Sequence, residues 1–569
     1  MDLKSNYHSI RTLLFFIEKK WKFLFIVNIV LMFSASFFEL FTLAVVFHLT
    51  TELFQTSQSS SYLTQFEFLG VYETSYLLII STMLSFLVRI VQIKQSVSFS
   101  EGISREITNN SYFGIVSQPY LWHLGHSYTQ ILSDLSVKSM RILPGAFSSL
   151  LNFFSSLIIL IIFIFGTFPL VGIYPFVVGI FVIFLYLIIL KATKQKVKNL
   201  SKLSASAINK INLILKESLA GIRETILYSL DKNYKKEISM ATFDVMDANV
   251  KSSLLSNYPR YFIESLIFIV LAVFMIIFSG YKKEVFIDFL PELGSIILLT
   301  QKLLPSIQNV FKSFVSIGTS SQSVYDVKIY FELDSKKSVD TNADFSDVKE
   351  IKIASLKFHY PKNINTQIII NNLTLKSGEW VGVIGASGSG KSTFLDVISG
   401  LIFVQKSKIY FDKTLIESCN VNSVKDVFVF IPQSSHIFNA SISFNISLSV
   451  ADIDYKKMDK IIKIACLEEY VNSLKNKLDS KVGEDGSSLS GGLKQRIGIA
   501  RALYRGGKVM LMDEASSALD EKTKNKIFNK IKDEYHDLLV IMVSHDLGLI
   551  NNYTDKVIKI SNGHLSFFK

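Results

Sequence analysis

Between residues 148 and 190 two apolar runs, SSLLNFFSSLIILIIFIFGTF and PLVGIYPFVVGIFVIFLYLIIL, follow one another with only a short Gly/Thr/Pro break. Each has about the ~20 residues that a helix needs to cross ~30 Å of hydrocarbon. Two such runs in tandem read as a pair of spanning helices joined by a tight hairpin outside the membrane. Including this pair, at about 146–167 and 169–190, the apolar runs lie at about 22–48, 75–96, 146–167, 169–190, 258–281 and 285–308. The last two are separated only by YKKEV, another short turn. Six spans are therefore expected.

The rest of the chain is not membrane-like. Of 569 residues, 49% are hydrophobic and only 19% charged, a balance that suits a chain part membrane and part soluble. The net charge of +12 allows either a nucleic-acid partner or positive loops on a cytoplasmic membrane face. Position decides between them. Lys4, Arg11, Lys19 and Lys20 precede the first span, the loop at 50–74 has no lysine or arginine, and KATKQKVKNLSK opens the loop at 191–257 with five lysines. The N-terminus and both long loops are thus expected inside the cell, with no nucleic acid as partner; Lys282 and Lys283 run against the rule but are outnumbered. The first span is too long, and lacks the small-residue cleavage site, for a removable signal peptide. Cys419 and Cys466 have no partner at metal-ligand spacing and imply no disulfide framework. Segments 97–145 and 191–257 keep helical periodicity, so they read as cytoplasmic extensions of the spans, bending near 122–130 and 226–233.

After about residue 320 the character changes: SKKSVDTNADFSDVKE is linker-like, and strands then alternate with helices. The expected organisation is a membrane domain over 1–320, a linker over 321–350 and a nucleotide-binding domain over 351–569. EWVGVIG is a buried strand running into GASGSGKS and a helix, the strand–loop–helix setting that the phosphate-binding pattern G-x-x-x-x-G-K-[ST] requires. Gly385, Gly388 and Gly390 let backbone N–H groups curl around a phosphate, Lys391 reaches the β- and γ-phosphates, and the Ser392 hydroxyl belongs on Mg²⁺. Ala386, Ser387, Ser389 and Thr393 complete the loop. In KVMLMDEASSALD an apolar strand ends in two acids: Asp513 is placed to hold Mg²⁺ and Glu514 to polarise an attacking water. Ser490, Gly491 and Gly492 open a later helix and expose N–H donors to an anion.

Taken together with VSHD at 543–546, these motifs resemble the ABC transporter family, and the resemblance covers the whole chain. LSGGLKQ is similar to the family signature LSGGQ, with Leu493 where glutamine is usual. In that family the signature of one subunit closes on the γ-phosphate held by the other. The resemblance implies that Tyr360 in FHYP stacks on adenine, and that Gln433 in FIPQ senses Mg²⁺ and contacts the membrane helices. It makes His545 the switch histidine and Asp520 the residue that crosses the dimer interface. GEDG at 483–486 is similar to a short loop of exporters. His545 is followed by Asp546 rather than the commoner arginine, for which the sequence offers no reading. The implied fold is multidomain: an all-α six-helix transmembrane domain followed by an α/β P-loop ABC ATPase domain. The implied protein binds ATP and Mg²⁺ and works as a homodimer in a bacterial inner membrane.

Three cations lie inside apolar runs. At ~1.5 Å per residue Arg89 is about 21 Å, Lys302 about 25 Å and Arg260 about 31 Å from the outer ends of their helices. Either they snorkel to the inner headgroups, with Arg260 pairing to Glu264 one turn on, or they line a cavity that receives an anionic headgroup. YPRYFIESLIF, TQKLLPSIQ and the loop at 50–74 resemble the lipid-linked oligosaccharide flippases of the PglK type, which implies a polyprenyl-diphosphate glycan as substrate. Export of a peptide or of a lipid-A-like lipid, and an ATP-gated channel, are the other readings open at this point.

Overall fold

In the computed structural model the described residues are 10–54, 70–171, 174–278, 283–333, 347–360, 363–402, 404, 407–415 and 426–568; the side chains at 167–179 and 277–302 are also outside the description. The chain divides into two compact units, Met1–Gln118 with Trp122–Ser335, and Lys336–Lys569 with Pro119–Leu121.

The first unit is helical. Its long helices are α1 (Lys19–Phe54), α2 (Val71–Val116), α3 (Leu143–Val171), α4 (Tyr174–Ala220), α5 (Asp231–Phe278) and α6 (Lys283–Phe331). Most run well past their apolar stretches because burial continues at helical spacing. On α2, Phe99, Ile103 and Ile107 are each 1% exposed, four residues apart, beyond the hydrocarbon-length segment. Among the described residues, Lys19–Val46, Val71–Val116 and Tyr128–Gly166 contain stretches long and apolar enough to cross a membrane. The spans expected at 169–190, 258–281 and 285–308 fall on α4, α5 and α6, with residues 172–173 and 279–282 outside the description. Residues 55–69, within the loop at 50–74, are also outside it.

Both bends lie where the periodicity placed them. Short helices Tyr120–Gly125 and Tyr128–Ser133 interrupt the first extension, and Ile222–Leu227 the second. A π-helical segment, Asp134–Ile142, then leads into α3. It carries a buried ion cluster: Lys138 Nζ lies 2.6 Å from both Asp134 Oδ1 and Asp326 Oδ2, and Tyr330 donates to Asp134 Oδ2 at 2.9 Å.

Two expectations need correction. The Gly/Thr/Pro stretch does not break the helix, since α3 continues to Val171. Gly166 is instead a packing position, where an added Cβ would run into the Leu40 side chain of α1. Nor does the linker begin at 321. α6 extends to Phe331 because Val324, Val327 and Tyr330 recur at helical spacing and are all buried.

The second unit is built on one ten-stranded sheet in the order β5-β4-β1-β2-β10-β9-β3-β8-β7-β6. The ranges are β1 (Glu350–Tyr360), β2 (Asn363–Lys376), β3 (Trp380–Ile384), β4 (Lys408–Phe411), β5 (Thr414–Leu415), β6 (Phe428–Ile431), β7 (Val509–Asp513), β8 (Leu539–Val543), β9 (Lys556–Ser561) and β10 (His564–Phe567). Strands β3, β8, β7 and β6 are neighbours and parallel. Both faces of this part are covered, which is why its strands are apolar without alternation. Val381, Val383, Leu511 and Ile541 pack with Phe394 and Leu395 of α7 (Lys391–Ile398). On the opposite face Trp380, Met510, Met512 and Val540 pack with Ile497 and Ile499 of α8 (Gly491–Arg505). One helix carries the phosphate loop and the other the signature, one on each side of the sheet.

Candidate functional site

The carboxyl ends of four adjacent parallel strands gather most of the residues expected in the nucleotide site. β3 runs into Gly385, β6 ends two residues before Gln433, β7 ends at Asp513, and β8 ends two residues before His545. In open parallel sheets this edge is where ligands bind.

The phosphate loop depends on its glycines. Gly388 and Gly390 have φ of +76° and +102°, in the left-handed region that favours glycine. At Gly385 a Cβ would meet Ser389 Oγ at 2.6 Å and also collide with the Ile560 carbonyl. Gly390 precedes α7 and offers it no side-chain cap, which leaves the first N–H groups of the helix, around Ser392 and Thr393, able to bind an anion. Lys391, buried, donates from Nζ to the Gly385 and Ala386 carbonyls at 2.9 and 3.0 Å, folded over the loop in which Ser387 also lies. Tyr360, at the end of β1, approaches the same helix, its hydroxyl 3.2 Å from Thr393 Oγ1.

Two side chains converge on Glu514. Gln433 Nε2 donates to Glu514 Oε2 at 2.9 Å, and His545 Nε2 lies 3.1 Å from Glu514 Oε1. Glu514 has φ of +47°, unusual for a residue with a Cβ, and its N–H donates to the Val543 carbonyl at 3.0 Å. Asp396 on α7 is an acid that motif reading did not single out. Burial, and next the charge of Asp513, push its carboxyl up to about 6.

The residues fit Mg²⁺ and ATP. The uncapped helix start and the glycine cradle suit polyphosphate, while Ser392, Gln433 and Asp513 supply the oxygen donors that a hard cation takes. Bound there, the cation would neutralise phosphate charge. Glu514, with both oxygens oriented by neighbours, can accept a proton, and Lys391 can place a point charge on phosphate.

A second group lies across the sheet. Ser490, Gly491, Gly492, Arg496, Ala518 and Asp520 line a cleft of about 430 Å³. Ser490 caps α8 by accepting the Leu493 N–H, and Asp520 caps α9 (Glu521–Glu534) by accepting Thr523 N–H at 2.9 Å. The bonds from Thr523 hold the Asp520 carboxyl below the usual carboxylate range. Arg496 was missed because an arginine on a helix has no motif of its own. Gln495 joins this group to the Glu514 loop, bonding Ser517 Oγ at 3.0 Å and accepting Ala518 N–H at 2.9 Å.

In the first unit Arg89, on α2, has Nε 4.0 Å from Glu39 Oε1 of α1. Arg260, on α5, has Nε 3.6 Å from Glu264 Oε2, the local pairing considered from sequence. Neither is a bare cation. Lys302 lies within α6, and its side chain is outside the described residues. Glu39 went unread although it is the one acid within the run at 22–48.

The ABC transporter family description matches residues 370–517, and that of the ABC transporter transmembrane region matches residues 24–283. The chain thus matches, in order along its length, the transmembrane region and the ATP-binding domain of ABC transporters. An export ATP-binding/permease protein of Rickettsia bellii is 32% identical over 40% of each chain. The match therefore spans well under two thirds of that relative. An ATP-dependent lipid A-core flippase of Blochmanniella pennsylvanica is 24% identical over 66% of this chain and 65% of its own. The solved structure of a bacterial Atm1-family ABC exporter with ATP bound shares the exporter fold, with a TM-score of 0.76, 17% identity, and coverage of 95% of this chain and 93% of that one. The helical membrane region and the sheet-containing ATPase domain thus have the fold of the ABC exporters.

Proposed function

We propose that this exporter hydrolyses ATP to flip an amphipathic lipid with an anionic headgroup from the inner to the outer leaflet. In its most specific form the substrate is a polyprenyl-diphosphate-linked oligosaccharide. The working unit is a homodimer in a bacterial inner membrane with its ATPase domains cytoplasmic. Glu514 is the general base, oriented by Gln433 and His545. Lys391 and the loop from Gly385 to Thr393 hold phosphate, Tyr360 stacks on adenine, Ser392, Gln433 and Asp513 bind Mg²⁺, and Ser490 to Gly492 with Asp520 close on the partner's nucleotide.

One observation carries the substrate reading. Arg89 Nη1 and Arg260 Nε are buried and have no hydrogen-bond partner among the described residues, although each arginine has an acid nearby. Guanidinium donors left unsatisfied within apolar helices suit phosphate oxygens. The likeness to a lipid A-core flippase supports a lipid over a peptide. Purified protein in liposomes tests this: ATPase activity should rise with a polyprenyl-diphosphate glycan. Stimulation by lipid A alone would keep lipid flipping and discard the glycan. Stimulation only by peptides, or ATP-dependent conductance without flipping, would discard the lipid reading.

A further inference from the structure

The acid that follows His545 has two separate partners. Asp546 Oδ1 accepts the Leu549 N–H at 3.0 Å and so caps α10 (Leu547–Tyr553). Its other oxygen, Oδ2, accepts from Lys524 Nζ at 2.5 Å. Lys524 is on the first turn of α9, its own N–H bonded to the carbonyl of the cap Asp520 at 2.9 Å. Its side chain is 14% exposed and that of Asp546 46%, so the pair is shielded on the lysine side and open to solvent on the carboxylate side. Lys524 first, and then the Leu549 N–H, hold the Asp546 carboxyl below the usual range.

Farther along, α9 and α10 meet again. Phe528 packs edge-on to Tyr553 at 5.5 Å, and the Tyr553 hydroxyl bonds Asn525 Oδ1 at 3.2 Å. These contacts join the two helices whether or not the ion pair exists. The Lys524–Asp546 bond adds a restraint at the start of both helices, where Asp520 and His545 sit. It leaves His545 fixed from two directions: Glu514 at 3.1 Å on its ring, and a tethered neighbour on its backbone.

We propose that Lys524 and Asp546 form a positioning pair for ATP hydrolysis, tying the turn of Asp520 to the loop of His545 so that the imidazole stays on Glu514. The proposal rests on the reading of Glu514 as the general base and of His545 as a group that orients it. A cap alone would need only Asp546; the lysine twenty-two residues earlier is what a cap does not explain.

The test uses the full chain in liposomes with Lys524→Met, Asp546→Asn, the double variant, Lys524→Arg, and His545→Ala as reference. Asparagine can keep the cap to Leu549 through its carbonyl oxygen, while its NH₂ group replaces the acceptor that faces Lys524. Each single variant should lower kcat about five- to tenfold with KM for ATP within about twofold, since positioning acts in the transition state. The double variant should be no slower than the worse single one, because both break one interaction. Lys524→Arg should recover most of the rate, and Tm of Asp546→Asn should equal that of the parent. Rates within twofold of the parent in both single variants, losses that multiply, a change confined to KM, or a Tm that falls with kcat would each overturn the pair's role. A fast His545→Ala protein would instead overturn the site reading beneath it; a slow His545→Ala beside normal pair variants overturns the pair alone.

Discussion

Glu514 sits in a left-handed turn that costs roughly 1–3 kcal/mol for a residue with a side chain, and the surroundings hold it there. Its N–H is spent on the Val543 carbonyl and its two oxygens on Gln433 and His545. Glu514→Gln preserves size and lets the remaining carbonyl oxygen accept from Gln433, but an amide does not take a proton from water. Turnover should fall about 10²-fold or more while ATP binding is kept. Steady-state hydrolysis beside nucleotide binding by the purified protein checks this; a variant that hydrolyses ATP at the parent rate removes Glu514 from its role. The glutamate was legible in the sequence because strand, acid pair and phosphate loop are each local patterns. Asp546 was not. Its partner is on another helix, and an ion pair between elements leaves no periodicity in either.

At the scale of elements, apolar length and helical spacing make the six long helices and both bends readable from the amino-acid sequence. Composition is a poorer guide to geometry. The Gly/Thr/Pro stretch looks like a turn, yet Gly166 is small so that Leu40 of α1 can approach, and the polar-looking 321–331 is helical because every third or fourth residue is buried. The ion cluster at the π-helical segment is invisible in the sequence for the same reason as the role of Asp546: Asp326 lies 188 residues from Lys138. With Asp134 and Lys138 1% and 5% exposed, the cluster is a liability when broken. Lys138→Met leaves two carboxylates facing one another without a counter-charge and should cost about 3–5 kcal/mol. Adding Asp134→Asn and Asp326→Asn should return much of that loss. Thermal unfolding of the detergent-solubilised protein reads both, and a single Lys138→Met variant as stable as the parent would show that the cluster is hydrated and inconsequential.

For the molecule as a whole, the question is what cations inside apolar helices are for, given that Arg89 and Arg260 each have an acid beside them. Had Arg89 been present only to neutralise Glu39, or Glu39 only to neutralise Arg89, removing either charge would strand the other, and the two losses would match. If Arg89 instead serves an anionic headgroup, the acid competes with the substrate for the guanidinium. The two substitutions then separate. Arg89→Gln should abolish most of the lipid-stimulated part of ATPase activity and slow flipping, with the unstimulated rate little changed because the nucleotide site belongs to the other unit. Glu39→Gln should leave stimulation intact or shift it to lower lipid concentration, as one competitor for the donors is gone. Arg260→Gln and Glu264→Gln should divide in the same sense, and Lys302→Gln should follow the arginines. Equal losses within each arginine–acid pair, in protein of normal yield, would mean that the charges pair only with each other, and that whatever this exporter moves is recognised somewhere else.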